Sequence, residues 1–305
     1  MKKDGNIVVF ISGGLGNQMF EYANARAIQE EYGVSIQFNS CELAYRKSEG
    51  RNFGLNNLAI RYDKFCVKNN FCNYIFFKMM RKYLLYKLKD FTEFEKYNFL
   101  DKKGMLFSLD TYRYFKHKID RHIEYVYGNF QSWKYFERYD KMLCEELRVT
   151  TPPSLKNQGM LKAINDCNSV CVHIRRGDYI NKRQWRQLNI CSYNYYYQAM
   201  KYIEKEIQQP TFFIFSNNSE DINWIKKNYD LSSFDICYVD LNNPDYEELR
   251  LMYSCKHFII SNSTFSWWAQ HLSTNSDRIV IAPTIWNRDE EAEDLYEDRW
   301  ILMDI

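Results

Sequence analysis

Short apolar runs alternate with longer stretches of helical period along most of the chain. Residues 7–11 read Ile-Val-Val-Phe-Ile, a run rich in β-branched side chains that predicts a strand buried on both faces. Glycines follow at 13, 14 and 16, then a helical pattern over 17–32 and a second predicted strand at 34–38. A strand, a helix and a strand in this order make a βαβ opening, which predicts a parallel sheet with covered faces.

The pattern degrades between residues 41 and 122. Within that stretch, 74–88 reads as an amphipathic basic helix. Its expected role is to pack an apolar stripe on the first domain; peripheral contact with an anionic membrane face is the alternative. Order returns with a predicted strand at 125–130 and a predicted helix at 132–147. Thr151-Pro152-Pro153-Ser154 then interrupts the chain, with Ser154 placed to cap the next helix, so the boundary is set between domains 1–150 and 151–305. Beyond it, strands are predicted at 169–174, 211–215, 236–239, 257–260 and 278–282, with helices at 193–207, 220–229, 246–255 and 264–272 between them. The expected architecture is α/β, two doubly wound halves with a cleft between them.

Composition narrows the function classes. A chain of 305 residues suits two domains, and 46% hydrophobic residues exclude a disordered class. Lys and Arg total 41 against 39 Asp and Glu, so a net charge of +2 argues against a general nucleic-acid binder. The cysteines number nine, scattered and without a metal-type pair, which predicts reduced, mostly buried thiols in a cytoplasmic protein. The first apolar run is too short for a signal segment or a membrane span, and no longer one follows.

Three segments carry candidate chemistry. Gly13, Gly14 and Gly16 stand between a strand and a helix, where backbone amides and the helix start favour an anion. The segment is not a phosphate loop of the Lys-Ser/Thr type, because Asn17 and Gln18 follow Gly16. Nor is it a dinucleotide fingerprint, which needs a glycine where Met19 stands and an acid where Asn39 stands. A tight turn that binds nothing fits the same residues, and Asn17 and Gln18 carry amides suited to hydroxyls. The second segment, Val170 to Tyr179, brings His173, Arg175, Arg176 and Asp178 to the carboxyl end of a buried strand. Arginine there grips phosphate and meets charge on a leaving group; a structural ion pair is the weaker alternative, because two adjacent arginines leave uncompensated charge at a strand end. In the third, Ser261, Asn262, Ser263 and Thr264 end a strand and open a helix, which makes a phosphate site or an ordinary cap. Trp267 and Trp268 follow and are expected in the core, one of them at the cleft. No Asp-x-Asp and no histidine pair at metal spacing occurs, so no metal site is expected; His117 and His122 lie in a basic stretch, and the acidic run 289–294 reads as solvated surface.

In order and approximate spacing, 13–23, 128–136, 173–179, 215–224 and 261–268 resemble the bacterial and animal α-1,2-fucosyltransferases, over a span from about Val8 to Trp286. The resemblance implies a GT-B-like fold of two Rossmann-like domains facing a cleft, with GDP-fucose in the C-terminal half and the acceptor on the N-terminal side. It implies inverting, metal-independent transfer of L-fucose to the 2-hydroxyl of a β-galactoside. Arg175 matches the arginine that grips the donor pyrophosphate, with His173, Arg176 and Asp178 as its motif neighbours. Ser261, Asn262, Ser263 and Thr264 match the second donor loop, while Gly14, Gly16, Asn17 and Gln18 match the N-terminal motif. Where the family often has Phe-Ser-Asp-Asp, this chain has Phe215-Ser216-Asn217-Asn218, and an amide such as Asn217 can bind guanine or ribose but cannot take a proton. Asp178, Glu21 or a substrate phosphate stay open as the base. A fucosyltransferase of other linkage and a non-catalytic GDP-sugar sensor are the rival readings. Animal members carry a signal anchor, so a bacterial protein of the cytoplasm is expected, with the inner face of the membrane as an alternative position.

Overall fold

The computed structural model describes residues 6–45, 52–63, 65–68, 70–108, 111–116, 123–177, 188–289 and 291–305. The chain forms two compact units, Met1–Glu146 and Leu147–Ile305.

The first unit opens with β1 (Asn6–Phe10), α1 (Leu15–Tyr32) and β2 (Ser35–Asn39), the βαβ unit expected from the apolar pattern. Then come α2 (Cys41–Tyr45), β3 (Phe65–Val67), α3 (Phe71–Lys87), α4 (Glu93–Asp101), β4 (Met105–Phe107), β5 (Tyr125–Tyr127) and α5 (Asp140–Glu146). Its five strands are parallel in the order β3-β2-β1-β5-β4. Gly33, left-handed at φ 65°, ends α1. α1 is buried nearly all round and carries charge inward: Arg26 holds Glu146 through Nε and Nη2 at 3.0 Å each, and the Tyr22 hydroxyl donates to Glu146 at 2.6 Å. This buried cluster joins α1 to the end of α5. On the other face of the sheet, Phe77 of α3 stacks on Phe10 of β1 at 4.1 Å, with Leu84, Leu88, Leu100 and Phe107 in the same core.

The expected helix over 132–147 is corrected. Two 3₁₀ turns, Trp133–Tyr135 and Glu137–Tyr139, precede α5, and between them Phe136 sits at φ −133°, ψ 9°. Aromatic residues are weak helix formers, and here side-chain packing of Phe136 on Phe20 decides the backbone.

The second unit comprises α6 (Leu155–Asn165), β6 (Asn168–His173), α7 (Tyr193–Glu206), β7 (Pro210–Phe215), α8 (Ser219–Asn228), β8 (Ile236–Tyr238), α9 (Asp245–Tyr253), β9 (His257–Ile259), α10 (Thr264–His271), β10 (Val280–Pro283) and β11 (Ile301–Met303). Ser154 caps α6 by accepting from the Asn157 N–H at 3.3 Å. The six parallel strands run β11-β10-β9-β6-β7-β8, so chain order reverses direction between β6 and β9. That is the Rossmann arrangement, read from its far edge. Val170, Val172, Phe212, Ile214 and Ile259 are fully buried, each worth about 1.5–3 kcal/mol relative to exposure. Trp267 and Trp268 are both fully buried, which corrects the expectation of one at a cleft; the Trp267 indole donates to Leu295 O at 2.9 Å and stacks on His271.

The thiols are all free; Cys41, Cys171 and Cys255 are buried and Cys66 and Cys72 exposed, so fewer are buried than expected.

Candidate active site

In a doubly wound sheet, ligands bind outside the carboxyl ends of the strands where chain order reverses. In the second unit those strands are β6 and β9, and the loops leaving them are the arginine segment and the serine segment. A hydrogen bond of 3.1 Å between His173 Nδ1 and Ser261 Oγ joins the loops, and both groups are buried. Burial, with the Arg175 charge beside it, takes the imidazole down to about 3, so His173 is neutral at physiological pH. It is a fixed strut, in line with the core reading of a strand histidine.

Consecutive tyrosines of α7 hold the two strand ends. Tyr195 donates to Ile260 O at 2.6 Å and Tyr196 donates to His173 O at 3.2 Å. Neighbouring helix residues diverge by about 100°, which lets the pair reach two adjacent strands. The Ser216 hydroxyl adds a third bond, to Ile174 O at 2.8 Å. Each buried carbonyl at this edge therefore has its donor.

Beyond β6 the backbone turns at Gly177, φ 28°, where an added Cβ would stand 2.8 Å from Asn217 Cγ. Asn217 accepts from the Arg176 N–H at 3.1 Å, and Asp221 accepts from the Gly177 N–H at 3.1 Å. The Arg176 guanidinium lies over the Trp224 ring, 3.1 Å from its centre, with Nε 3.5 Å from Asp221. Burial lowers its pKa and Asp221 opposes the shift. Arg176 is thus clamped by α8, whereas Arg175 stands one residue nearer the strand end. Asp178 lies outside the described residues; the carboxylate that meets Arg176 is Asp221. Asp221 and Trp224 stand three apart on α8, so both lie on one face of the helix.

After β9, Ser263 caps α10 by accepting from the Phe265 N–H at 3.4 Å, and Ser261 and Ser263 carbonyls accept from the Ser266 hydroxyl. The Asn262 amide donates to Leu188 O at 2.9 Å and Trp286 O at 3.0 Å, which makes it a tie between loops. Thr264 is the first residue of α10, at the free-amide end.

The first unit repeats the scheme at β1 and β5. Gly13 at φ 70° turns the chain into α1, Gly14 caps that helix and Gly16 lies in its first turn. Asn17 accepts from the Gln131 amide at 3.2 Å, joining the first turn of α1 to the loop after β5. Gln18 is buried, donating to Gly13 O and Asn52 O and accepting from the Gly54 N–H. Glu21 is buried too; Ser12 donates to it from its N–H at 2.9 Å and its hydroxyl at 2.7 Å, yet burial still pushes the carboxyl well above its ordinary range.

The profile of glycosyl transferase family 11 matches residues 6–304. The chain belongs to that family. An α-1,2-colitosyltransferase of Escherichia coli is 30% identical over 98% of this family 11 chain and 99% of that enzyme. The O-antigen biosynthesis glycosyltransferase WbnK, also of Escherichia coli, is 29% identical over 95% and 98%. Galactoside α-(1,2)-fucosyltransferase 1 of Sus scrofa is 26% identical over 50% of this chain and 43% of that enzyme. Among solved structures, a mutant of Arabidopsis thaliana FUT1 in complex with GDP superposes with TM-score 0.50 at 11% identity, covering 93% of this chain and 72% of that one. The family 11 chain is a glycosyltransferase of GT-B class, with one Rossmann-like sheet in each unit.

Proposed function

We propose that this family 11 enzyme transfers L-fucose from GDP-fucose to the 2-hydroxyl of a galactoside, with inversion at the sugar C1. The observation that carries the reading is the pair of loops at the β6/β9 reversal: arginines leave one strand, a hydroxyl-lined helix start leaves the other, and His173–Ser261 joins them. Arginine and the amides of a helix start together suit a pyrophosphate. The 1,2 linkage is common to the names of the colitosyl and the galactoside fucosyl relatives. In the reaction the C1–O bond to the β-phosphate breaks with its electron pair leaving on GDP, the galactose 2-oxygen bonds to C1, and its proton passes to a base. Arg175 and the start of α10 meet the charge on GDP without a divalent ion.

A second reading is favoured by the 30% identity to the colitosyltransferase. Colitose is fucose without its 3-hydroxyl, so the same loops would accept GDP-colitose.

Purified enzyme incubated with each donor, a panel of β-galactosides and EDTA tests both readings, with products mapped by NMR. Fucosyl-α-1,2-galactose formed in EDTA supports the first; transfer of colitose alone supports the second. GDP-sugar binding without transfer to any panel member would favour a sensor, and loss of transfer in EDTA would refute metal independence.

A further inference from the structure

α3 carries two apolar stripes. Tyr74, Phe77, Leu84 and Leu88 face inward and build the core on β1. The opposite side holds Phe76, Met79, Tyr83 and Tyr86, which are 61%, 69%, 59% and 67% exposed. These recur at intervals of three and four residues, so they form one continuous stripe along the helix. The expected amphipathic helix packing one apolar stripe inward therefore describes half of it. A row of large apolar side chains held in water is costly unless something covers it.

Charge identifies what covers it. Between residues 68 and 89 the chain has Lys68, Lys78, Lys82, Lys87 and Lys89 and no acid, while Arg81 turns inward over the Tyr127 ring. Lys87 and Lys89 stand over the Tyr83 and Tyr86 rings at 5.8 and 5.7 Å, so these amines border the stripe. A second copy packed through the same stripe would bring like charges face to face. Aromatic and Met side chains ringed by lysine instead match the interface of an anionic bilayer, apolar groups in the acyl boundary and amines at the phosphates. Among the described residues no helix is long and apolar enough to cross a membrane.

We infer that the outer face of α3 is a peripheral docking surface for an anionic phospholipid bilayer. The inference is independent of which donor sugar the enzyme uses.

Flotation of the full chain with vesicles of pure phosphatidylcholine, and with vesicles containing about a third phosphatidylglycerol, tests it. Binding is expected to the anionic vesicles, weakening as salt rises. Phe76→Ser with Met79→Ser should lower vesicle partition by at least tenfold by removing buried apolar area. Lys87→Glu with Lys89→Glu should do so as well, since each basic residue near the surface contributes about fivefold. These positions are exposed, and circular dichroism melts superimposable on the parent's are the control for folding. No difference between the two vesicle types, or unchanged binding in both variants, would overturn the proposal. So would a dimer in light scattering that both variants dissociate, because a second copy would then be the occupant.

Discussion

The two reversal points of this enzyme share a plan and differ in chemistry. In each unit one hydrogen bond links the segments that follow or end the two central strands: Gln131 to Asn17 of α1 in the first, Ser261 with His173 in the second. The first point is furnished with amides and a buried acid, Glu21 held by Ser12. The second has guanidinium groups, a neutral imidazole and hydroxyls at a helix start. A nucleoside diphosphate needs positive charge, which the second supplies through Arg175 and Arg176 at the end of β6. The shared plan is scaffold, and the side chains are what distinguish the two reversal points.

The largest expected effect separates the halves by function. Arg175→Ala should lower kcat/KM by on the order of 10³, the scale of an arginine meeting transition-state charge. Asn17→Ala should lower kcat by on the order of 10² at most and leave KM for the donor unchanged. Steady-state kinetics with the donor varied reads both. A smaller effect compares the glycines. Gly13→Ala and Gly177→Ala each force a side chain into a left-handed turn, against Asn17 Nδ2 at 2.6 Å and Asn217 Cγ at 2.8 Å. Each should cost about 1–3 kcal/mol in urea unfolding, and Gly177→Ala should also weaken donor binding, because Arg176 precedes that turn directly.

Next come the struts. Ser261→Ala strands the buried His173 nitrogen and should cost about 1–3 kcal/mol, while Tyr196→Phe removes one donor and should cost about 1 kcal/mol. The pH dependence of stability has opposite signs in the two halves. His173 takes its proton near 3 when folded and near the ordinary histidine value of about 6.5 when unfolded, so its share of stability is complete above about 6.5 and declines as pH falls toward 3. Glu21 is raised when folded, so its share is complete below the ordinary glutamate value of about 4.3 and is lost as pH rises through its folded value. His173→Gln should flatten the acid limb of stability against pH, and Glu21→Gln the alkaline limb. Urea midpoints from pH 4 to 9 check both.

Much of the second unit was legible because β6, β7 and β9 are apolar runs with turn residues at their ends. The βαβ opening was readable for the same reason. By contrast, β3, β4 and β11 have three residues each, too few for a period to show, and their place is set by pairing with β2, β5 and β10. α1 carries Glu21, Asn24 and Arg26 buried inside, which no amphipathic pattern describes. At the site, the arginine and serine segments were visible as motifs. The clamp of Asp221 and Trp224 on Arg176 was not, since it arises from β7 and α8 meeting the end of β6 in space. The tyrosine pair of α7 escaped notice for a similar reason: within a helix, two aromatic residues read as core.

The central claim, that the nucleotide binds at the arginine and serine loops of the second unit, is tested most directly by calorimetric titration of GDP into the full chain, Arg175→Ala and Asn17→Ala. The expected result is saturable binding by the parent chain, a loss of at least tenfold in Arg175→Ala, consistent with one charge-assisted bond, and an unchanged Kd in Asn17→Ala. Binding that survives Arg175→Ala and fails in Asn17→Ala would contradict the account and move the nucleotide to the first unit.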